Sequence, residues 1–287
     1  MKRIVVTGAD GYIGSHVLEE LARHKERFDV TAAVLDAQTC EKADGIRYVT
    51  FDFVRDYARE DLYEALMRPE ICLHLAWRDG FVHNSPKHME DISCHFGFLK
   101  NLADHGTAQF AVAGSFREYG SVNGMTDVDA FAYPDTMYTL SKTALKRALE
   151  IYFAGKDVCL QWFRPFTVYG DEEKNHSILS KIITWEKEGR KTFPFTDGNE
   201  EYDYIEIHEL ARQITAIVSQ REISGAIDCC TGVTTRLGDM VERFLAENRF
   251  AIRPEYGAFP SRSYDSKSIY GDVRKIDAIM KLVGENG

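Results

Sequence analysis

The stretch Thr7-Gly8-Ala9-Asp10-Gly11-Tyr12-Ile13-Gly14 decides the fold of this chain. It follows a short apolar strand pattern and opens a helical pattern, and two residues separate each glycine from the next. Gly8 permits a tight turn, Gly11 lets the backbone approach a ligand, and Gly14 lets the helix pack closely on the strand. The N–H groups at the start of that helix then face an anion. The segment therefore predicts a binding site for the pyrophosphate of a dinucleotide.

Two acidic residues follow predicted strands at the same edge. Asp36 lies 22 residues after Gly14, where a carboxylate accepts hydrogen bonds from an adenosine ribose and repels a 2′-phosphate. This favours NAD(H) as the cofactor, with NADP(H) as the other possibility, although a strand-end Asp is also a common turn residue. Asp52, after the third predicted strand, has two interpretations: an acceptor for the adenine amine or the cap of the next turn.

Strand and helix patterns alternate along the first part of the chain. Strands are predicted over 4–7, 29–35, 46–51, 71–75, 110–113 and 158–163, and helices over 138–153, 178–188, 210–219 and 237–247. Such alternation predicts an α/β fold, a Rossmann-type doubly wound parallel sheet covered by helices on both faces. We expect 1–165 to form a dinucleotide-binding domain. We expect 166–287 to form mainly a smaller C-terminal α/β substrate lobe, with some segments returning to the sheet.

The composition disfavours several classes of partner. The chain carries 35 Lys and Arg against 45 Asp and Glu, a net charge of −10, whereas nucleic acids and anionic membranes need a basic surface. No run approaches the ~20 apolar residues that cross a bilayer, and a strand pattern stands where a signal segment would, so a cytoplasmic location is expected. The histidines and cysteines show no metal-site spacing, so no metal is expected and the thiols are predicted to be reduced.

A tyrosine and a lysine on one predicted helix suggest acid–base chemistry. Tyr138 and Lys142 are four residues apart and share a helix face. There an ammonium stabilises a phenolate and would lower the tyrosine pKa from about 10 toward the working pH. Ser115 ends a predicted strand at the edge where doubly wound sheets bind ligands, and its hydroxyl can polarise a carbonyl. Together the three side chains predict proton transfer to a carbonyl that receives a hydride.

Five ordered segments resemble the extended short-chain dehydrogenases/reductases, the NAD-dependent epimerase/dehydratase family. They are TGADGYIG at 7–14, LHLA at 73–76, AGSFREYG at 113–120, Tyr138-x-x-x-Lys142, and RPFTVYG at 164–170. The resemblance covers residues 1–170 and is loose beyond them. It implies that Ser115, Tyr138 and Lys142 are catalytic and that Lys142 also reaches the nicotinamide ribose. The implied cofactor contacts are Gly8, Gly11, Tyr12, Ile13, Gly14, Asp36, Asp52, Phe53, Leu75, Ala76, Tyr138, Lys142 and Pro165.

Departures from the family pattern narrow the range of reactions expected of this chain. The dehydratases of the family carry an Asp-Glu pair directly after the hydroxyl residue, but this chain has Phe116 and Arg117, so dehydration is disfavoured. Glu118 is a poor substitute, because in an extended segment it would point to the opposite side. His95 stands where the family has an asparagine, either as a donor or relay or as a packed helix residue.

The residue that commonly binds the substrate diphosphate in the family is also different in this chain. Tyr202 replaces the family's arginine, which leaves Arg262 and Lys191 as candidates, unless they are solvated surface charges. The expected substrate contacts are Ser115, Phe116, Arg117, Tyr138 and Arg262.

The resemblance implies a leading function and two alternatives. The leading expectation is reduction of a nucleotide-activated 4-keto-6-deoxyhexose at C4, in the synthesis of deoxysugars for surface polysaccharides such as lipopolysaccharide. A sugar-nucleotide 4-epimerase is the first alternative, and a non-catalytic dinucleotide sensor on the same fold is the second. Family members often dimerise through a helix pair, which here would be 86–105 and 138–153, so a homodimer is expected.

Overall fold

A parallel sheet forms the centre of the molecule. The computed structural model describes residues 1–260 and 266–285, and Arg262 therefore lies outside the described residues. Within these ranges, the main sheet comprises β1 (Lys2–Thr7), β2 (Phe28–Val34), β3 (Arg47–Thr50), β4 (Ile71–His74), β5 (Gln109–Ala113), β7 (Cys159–Pro165) and β11 (Gly225–Cys229). The strand order is β11-β7-β5-β4-β1-β2-β3, and neighbouring strands run parallel. The predicted α/β fold with a parallel sheet is confirmed.

Successive side chains of β1 enter two separate cores, as a sheet covered on both faces requires. Val6 packs in a cluster with α1 (Tyr12–Ala22), α8 (Ile207–Ser219) and α10 (Arg274–Glu285). Val5 packs in the other cluster, with α5 (Ile92–Asp104) and α6 (Met137–Phe153). Short helices α2 (Phe53–Asp56), α3 (Leu62–Ala65) and α4 (Lys87–Glu90) lie along the second face. Burial on both sides explains the apolar run Ile4-Val5-Val6 in β1.

The remaining strands form a smaller layer beside the carboxyl ends of the main sheet. They are β6 (Gly124–Met125), β8 (Thr167–Tyr169), β10 (Glu201–Glu206), β12 (Thr234–Arg236) and β14 (Ser268–Tyr270), with a separate pair β9 (Thr192–Pro194) and β13 (Arg253–Glu255). Helices α7 (Ile178–Lys187) and α9 (Leu237–Asn248) pack on this layer through their own apolar cluster. In the described part of the chain, no helix is long and apolar enough to span a membrane.

The strand order reverses at β1, whose neighbours are β2 and β4. The connections that follow β1 and β4 cross the sheet in opposite directions. They leave a crevice at the carboxyl ends of these strands, where ligands bind in folds of this kind. Each strand predicted from the sequence is present. The sequence indicated that some C-terminal segments return to the sheet, but it did not locate β11 or α10.

Candidate active site

The loop between β1 and α1 is shaped by contacts that only glycine permits. Gly8 has a φ of +64°, and a Cβ on Gly14 would lie 2.1 Å from the Gly8 carbonyl oxygen. Helix α1 begins at Tyr12 with Gly11 as its N-cap, without a side-chain cap and without an acidic residue in its first turn. Its first N–H groups are thus left for a ligand, and they suit an anion such as a pyrophosphate.

A cavity of about 560 Å³ continues from this loop to the end of β2. Ala9 and Asp10 line one side of it, and Asp36 and Lys42 line the other. The Asp36 carboxylate accepts hydrogen bonds from the N–H of Gln38 (2.8 Å) and the hydroxyl of Thr39 (2.8 Å). These bonds hold the pKa of Asp36 below its usual value. The residue predicted to meet the adenosine ribose therefore stands in the cavity as a carboxylate.

The other predicted cofactor contacts occupy the same sheet edge in different ways. Asp52 caps α2 by accepting a hydrogen bond from the N–H of Val54 (3.1 Å). The sequence allowed such a cap as one of two interpretations of this residue. Leu75 and Ala76 follow β4 and donate their N–H groups to the carbonyl and hydroxyl of Thr7. Further members of the set are Tyr12 and Ile13 in the first turn of α1, Phe53 at the start of α2, and Pro165 at the end of β7.

Local caps place the three predicted catalytic side chains. Thr136 begins α6 with a capping box, so that Tyr138 stands in the first turn and Lys142 one turn later on the same face. Ser115 follows β5 and caps a 3₁₀ helix, Phe116–Tyr119, where its Oγ accepts from the N–H of Arg117 (3.3 Å). The Ser115 side chain lies near the phenol of Tyr138, where its hydroxyl favours the ionised form of the phenol. The hydroxyl and the phenol thus meet at the crevice.

The prediction that Lys142 lowers the pKa of Tyr138 is wrong for this structure. Burial and the nearby charge of Glu118 raise the pKa of the phenol, while the Ser115 hydroxyl and the charge of Arg117 act against that rise. The Lys142 ammonium does not face the phenol oxygen as assumed, because it donates to the carbonyl of Ala113 (2.5 Å). Lys142 is buried, and this desolvation lowers its own pKa to about 7.

The geometry expected for Glu118 is also wrong. The segment after Ser115 is a 3₁₀ helix and not an extended strand, and the capping-box pattern Ser-x-x-Glu in the sequence was the signal for it. Glu118 is completely buried and accepts from Trp162 Nε1 (3.1 Å) and Arg164 Nε (3.1 Å). It is therefore committed to an internal ion pair and is not placed to act on a substrate.

Arg164 anchors a polar network beneath the crevice. Its guanidinium also donates to the Tyr119 hydroxyl (2.7 Å), which in turn donates to Asp228 (2.8 Å). Asp228 accepts from the Thr126 hydroxyl (2.7 Å) and from the N–H of Asp272 (3.3 Å). Burial raises the pKa of Asp228. These hydrogen bonds tie β11 and β7 to the smaller layer.

The remaining candidates lie in varied positions. Phe116 stacks on Phe166 (5.2 Å between ring centroids), and the Arg117 guanidinium lies over the Phe116 ring. His95 is packed within α5 and is 1% exposed. Tyr202 is half-buried in β10, and Lys191 is exposed beside β9.

Three rings around Tyr138 were missed by the sequence analysis. His83 stacks on the tyrosine ring (5.9 Å), and Trp77 and His88 meet it edge-on (6.1 and 5.3 Å). The sequence feature that could have indicated Trp77 was its position in the chain. Trp77 follows the segment at 73–76 that carried part of the resemblance, at the ligand-binding edge of β4.

We expect Arg164→Met to lower the free energy of unfolding by about 3–5 kcal/mol, because it leaves Glu118 buried without its cation. The matched control is Arg3→Met. Arg3 pairs with Glu70 at 3.6 Å, but both side chains are 47% exposed, so the control should cost less than about 1 kcal/mol. Urea unfolding measures both variants. Equal losses would show that the buried network contributes no more than a surface pair.

Sequence and structure comparisons place these features among known proteins. The sequence profile of the NAD dependent epimerase/dehydratase family matches residues 4–228. The dTDP-6-deoxy-L-talose 4-dehydrogenase (NAD(+)) of Aggregatibacter actinomycetemcomitans is 32% identical over 93% of this chain and 98% of that protein. A Bacillus subtilis protein described as an uncharacterized UDP-glucose epimerase is 23% identical over 78% of this chain and 74% of its own.

A solved structure shows the same fold. MoeE5 in complex with UDP-glucuronic acid and NAD superposes with a TM-score of 0.81, at 22% identity, over 97% of this chain and 92% of the other. The profile spans most of the chain, and the dehydrogenase aligns along nearly all of it. The chain therefore belongs to the NAD-dependent epimerase/dehydratase family.

Proposed function

We propose that the protein reduces the 4-keto group of a nucleotide-activated 6-deoxyhexose with NADH. The observation that carries this proposal is the meeting of Ser115 and Tyr138, with Lys142 one helical turn away, at the sheet edge that also presents the uncapped start of α1. The alignment with a 4-dehydrogenase of dTDP-6-deoxy-L-talose, over 98% of that relative, supports the substrate class.

The cofactor would be held by the backbone of the glycine loop and by Asp36. The N-terminal N–H groups of α1 would bind the pyrophosphate, and the Asp36 carboxylate would accept from the adenosine ribose. Lys142 would bind the nicotinamide ribose. Bound NADH would supply the hydride that the substrate carbon receives.

Two side chains of the protein would polarise the carbonyl and transfer the proton. The Ser115 hydroxyl would donate to the ketone oxygen, since its Oγ already accepts from the Arg117 N–H and keeps its own proton to give. Tyr138 would deliver its phenolic proton to that oxygen as the carbon is reduced. Burial raises the pKa of this phenol, so Tyr138 is protonated near neutral pH, which suits a general acid in the direction of reduction.

The residues next to Ser115 oppose a dehydration reaction. Phe116 and Arg117 offer no carboxylate, and Glu118 is fully buried against Arg164. Elimination of water needs an acid and a base at the substrate, and this segment supplies neither. Phe116 and Arg117 would instead contact the sugar and the diphosphate, together with Arg262.

A sugar-nucleotide 4-epimerase is the second candidate. It uses the same three side chains, and a relative described as a UDP-glucose epimerase aligns over 78% of this chain. An epimerase must retain its cofactor through a ketone intermediate, so it shows no net consumption of NADH.

A homodimer stays a prediction, and the exposed Leu140 and Ile151 on α6 are apolar groups that it would cover.

The deciding experiment follows the absorbance of NADH when the purified protein meets a dTDP-4-keto-6-deoxyhexose, with product analysis. Stoichiometric loss of NADH and a 4-hydroxy product would support the reductase. Conversion of UDP- or dTDP-hexoses into their C4 epimers without NADH loss would support the epimerase instead. NADH binding without either reaction would favour the dinucleotide sensor.

We expect Tyr138→Phe to reduce kcat about a hundredfold or more, the usual scale for a lost general acid, while NADH binding changes little. Steady-state kinetics and a fluorescence titration with NADH measure the two effects. The matched control is Tyr152→Phe on the same helix, which loses only a surface hydrogen bond to Asp104. Near-normal turnover in Tyr138→Phe would remove this residue from the mechanism.

We expect Asp36→Ala to weaken binding of NADH more than binding of NADPH. The variant loses the ribose acceptor in both cases, but with NADPH it also loses a repulsion of the 2′-phosphate. Dissociation constants for both nucleotides, measured at one ionic strength, give the comparison. Equal losses for the two nucleotides would mean that Asp36 does not set the cofactor preference.

A further inference from the structure

The indole of Trp77 lies against the buried ammonium of Lys142. Nζ of Lys142 is 4.0 Å from the centroid of the Trp77 ring, and the lysine is 2% exposed. A cation over the face of tryptophan is attracted by the ring's quadrupole, most strongly where water is excluded. The ammonium also donates to the Ala113 carbonyl. A ring and a carbonyl thus contact this cation directly.

Two histidines fix the indole from different directions. His95 stacks on it with centroids 4.2 Å apart and planes inclined by 13°. Nε1 of Trp77 donates to Nδ1 of His88 (3.0 Å), and Nε2 of His88 then donates to the carbonyl of Val82 (3.0 Å). The stacking sets the plane of the ring and the hydrogen bond sets its rotation in that plane.

The supporting imidazole of His95 is itself held in place. Its other neighbour in the stack is Phe53 (4.3 Å between centroids), and its Nδ1 shares a hydrogen bond with Nε2 of His74 (2.8 Å). Nδ1 of His74 is joined to the hydroxyl of Thr7 at 2.8 Å. Burial lowers the pKa of both histidines, that of His74 to about 3. Both rings are therefore neutral and add no positive charge beside Lys142.

We propose that Trp77 is a positioning residue for Lys142, and that its indole face, fixed by His95 and His88, holds the ammonium beside Tyr138. The consequence for turnover rests on the proposed function, whereas the contact itself does not. The attraction favours the charged form of the lysine, which is the form that would bind the ribose. The segment at 73–76 that carried part of the family resemblance ends one residue before this ring and assigns it no role.

Several other groups influence the charge of Lys142. The titratable neighbours are Glu118, which favours the ammonium, and Tyr138, His74 and His95. Desolvation is the largest effect and brings the lysine pKa down to about 7. A lysine poised near neutrality is sensitive to the loss of any single stabilising contact, so the contribution of Trp77 is measurable.

The test is an NMR titration of the lysine side-chain nitrogens in the intact chain without substrate. Lys142→Met identifies the Lys142 signal. In Trp77→Leu, which keeps an apolar neighbour but removes the ring, we expect the Lys142 pKa to fall by about one unit. Trp77→Phe, with a weaker ring, should give a smaller fall. The matched control is Tyr152→Leu, which removes a surface ring lying 3.5 Å from Lys156 and should leave Lys142 unchanged.

The direction of the shift decides the proposal. A ring that merely excludes water would, when removed, let the Lys142 pKa rise toward its ordinary value of about 10.4. A rise or an unchanged value in Trp77→Leu therefore overturns the proposal. If Trp77→Leu fails to fold, as judged by thermal unfolding, Trp77→Phe decides by the same criterion.

A kinetic measurement extends the test to turnover. Activity that needs the ammonium is lost as pH rises through the lysine pKa, so the alkaline limb of kcat should move to lower pH in Trp77→Leu, in step with the titration. An alkaline limb that stays in place overturns the role in turnover. Failure of the protein to reduce any keto-sugar would refute the proposed function alone, because the lysine titration needs no substrate.

Discussion

The ion pair between Glu118 and Arg164 is the interaction on which the architecture of the crevice depends. Both groups are almost completely inaccessible to water, and a buried charge is tolerated only when paired and hydrogen-bonded. Glu118 also accepts from the backbone N–H of Ser115 (2.8 Å), so the pair fixes the residue that carries the reactive hydroxyl. Through Tyr119 the same guanidinium reaches Asp228, and the network continues into the smaller layer. The position of Ser115 is thus set from within the protein and not by a surface loop.

The crevice combines a phenol and an ammonium whose ionisation is controlled by burial. Desolvation favours the neutral form of each group, raising the pKa of Tyr138 and lowering that of Lys142. A protonated phenol suits the delivery of a proton to a ketone oxygen. The sequence suggested the opposite direction for Tyr138, because helical spacing reports which side chains share a face but not how much water reaches them.

Much of the fold and part of the site could be predicted from the sequence, for identifiable reasons. The apolar runs of β1 and β2 and the glycine spacing at 8–14 are local patterns with one structural solution. The placement of Tyr138 and Lys142 on one face of a helix follows from helical periodicity alone. The partners of Glu118 and Trp77 could not be predicted, since Arg164 and His95 are brought to them by the tertiary fold over 46 and 18 residues of chain. The Ser-x-x-Glu pattern at 115–118 could have predicted the 3₁₀ helix, but Glu118 was considered only for an extended segment.

The route of the chain through the main sheet has a consequence for how the protein is made. The face of the sheet that buries Val6 is covered by α1 together with α8 and α10, and β11 supplies the outer neighbour of β7. A growing chain that has emerged only as far as β7 therefore exposes the apolar surface of that face and an unpaired strand edge, both of which promote aggregation. The core on this face can close only after α8, β11 and α10 have been synthesised, so the nascent chain carries that apolar surface until these elements are available.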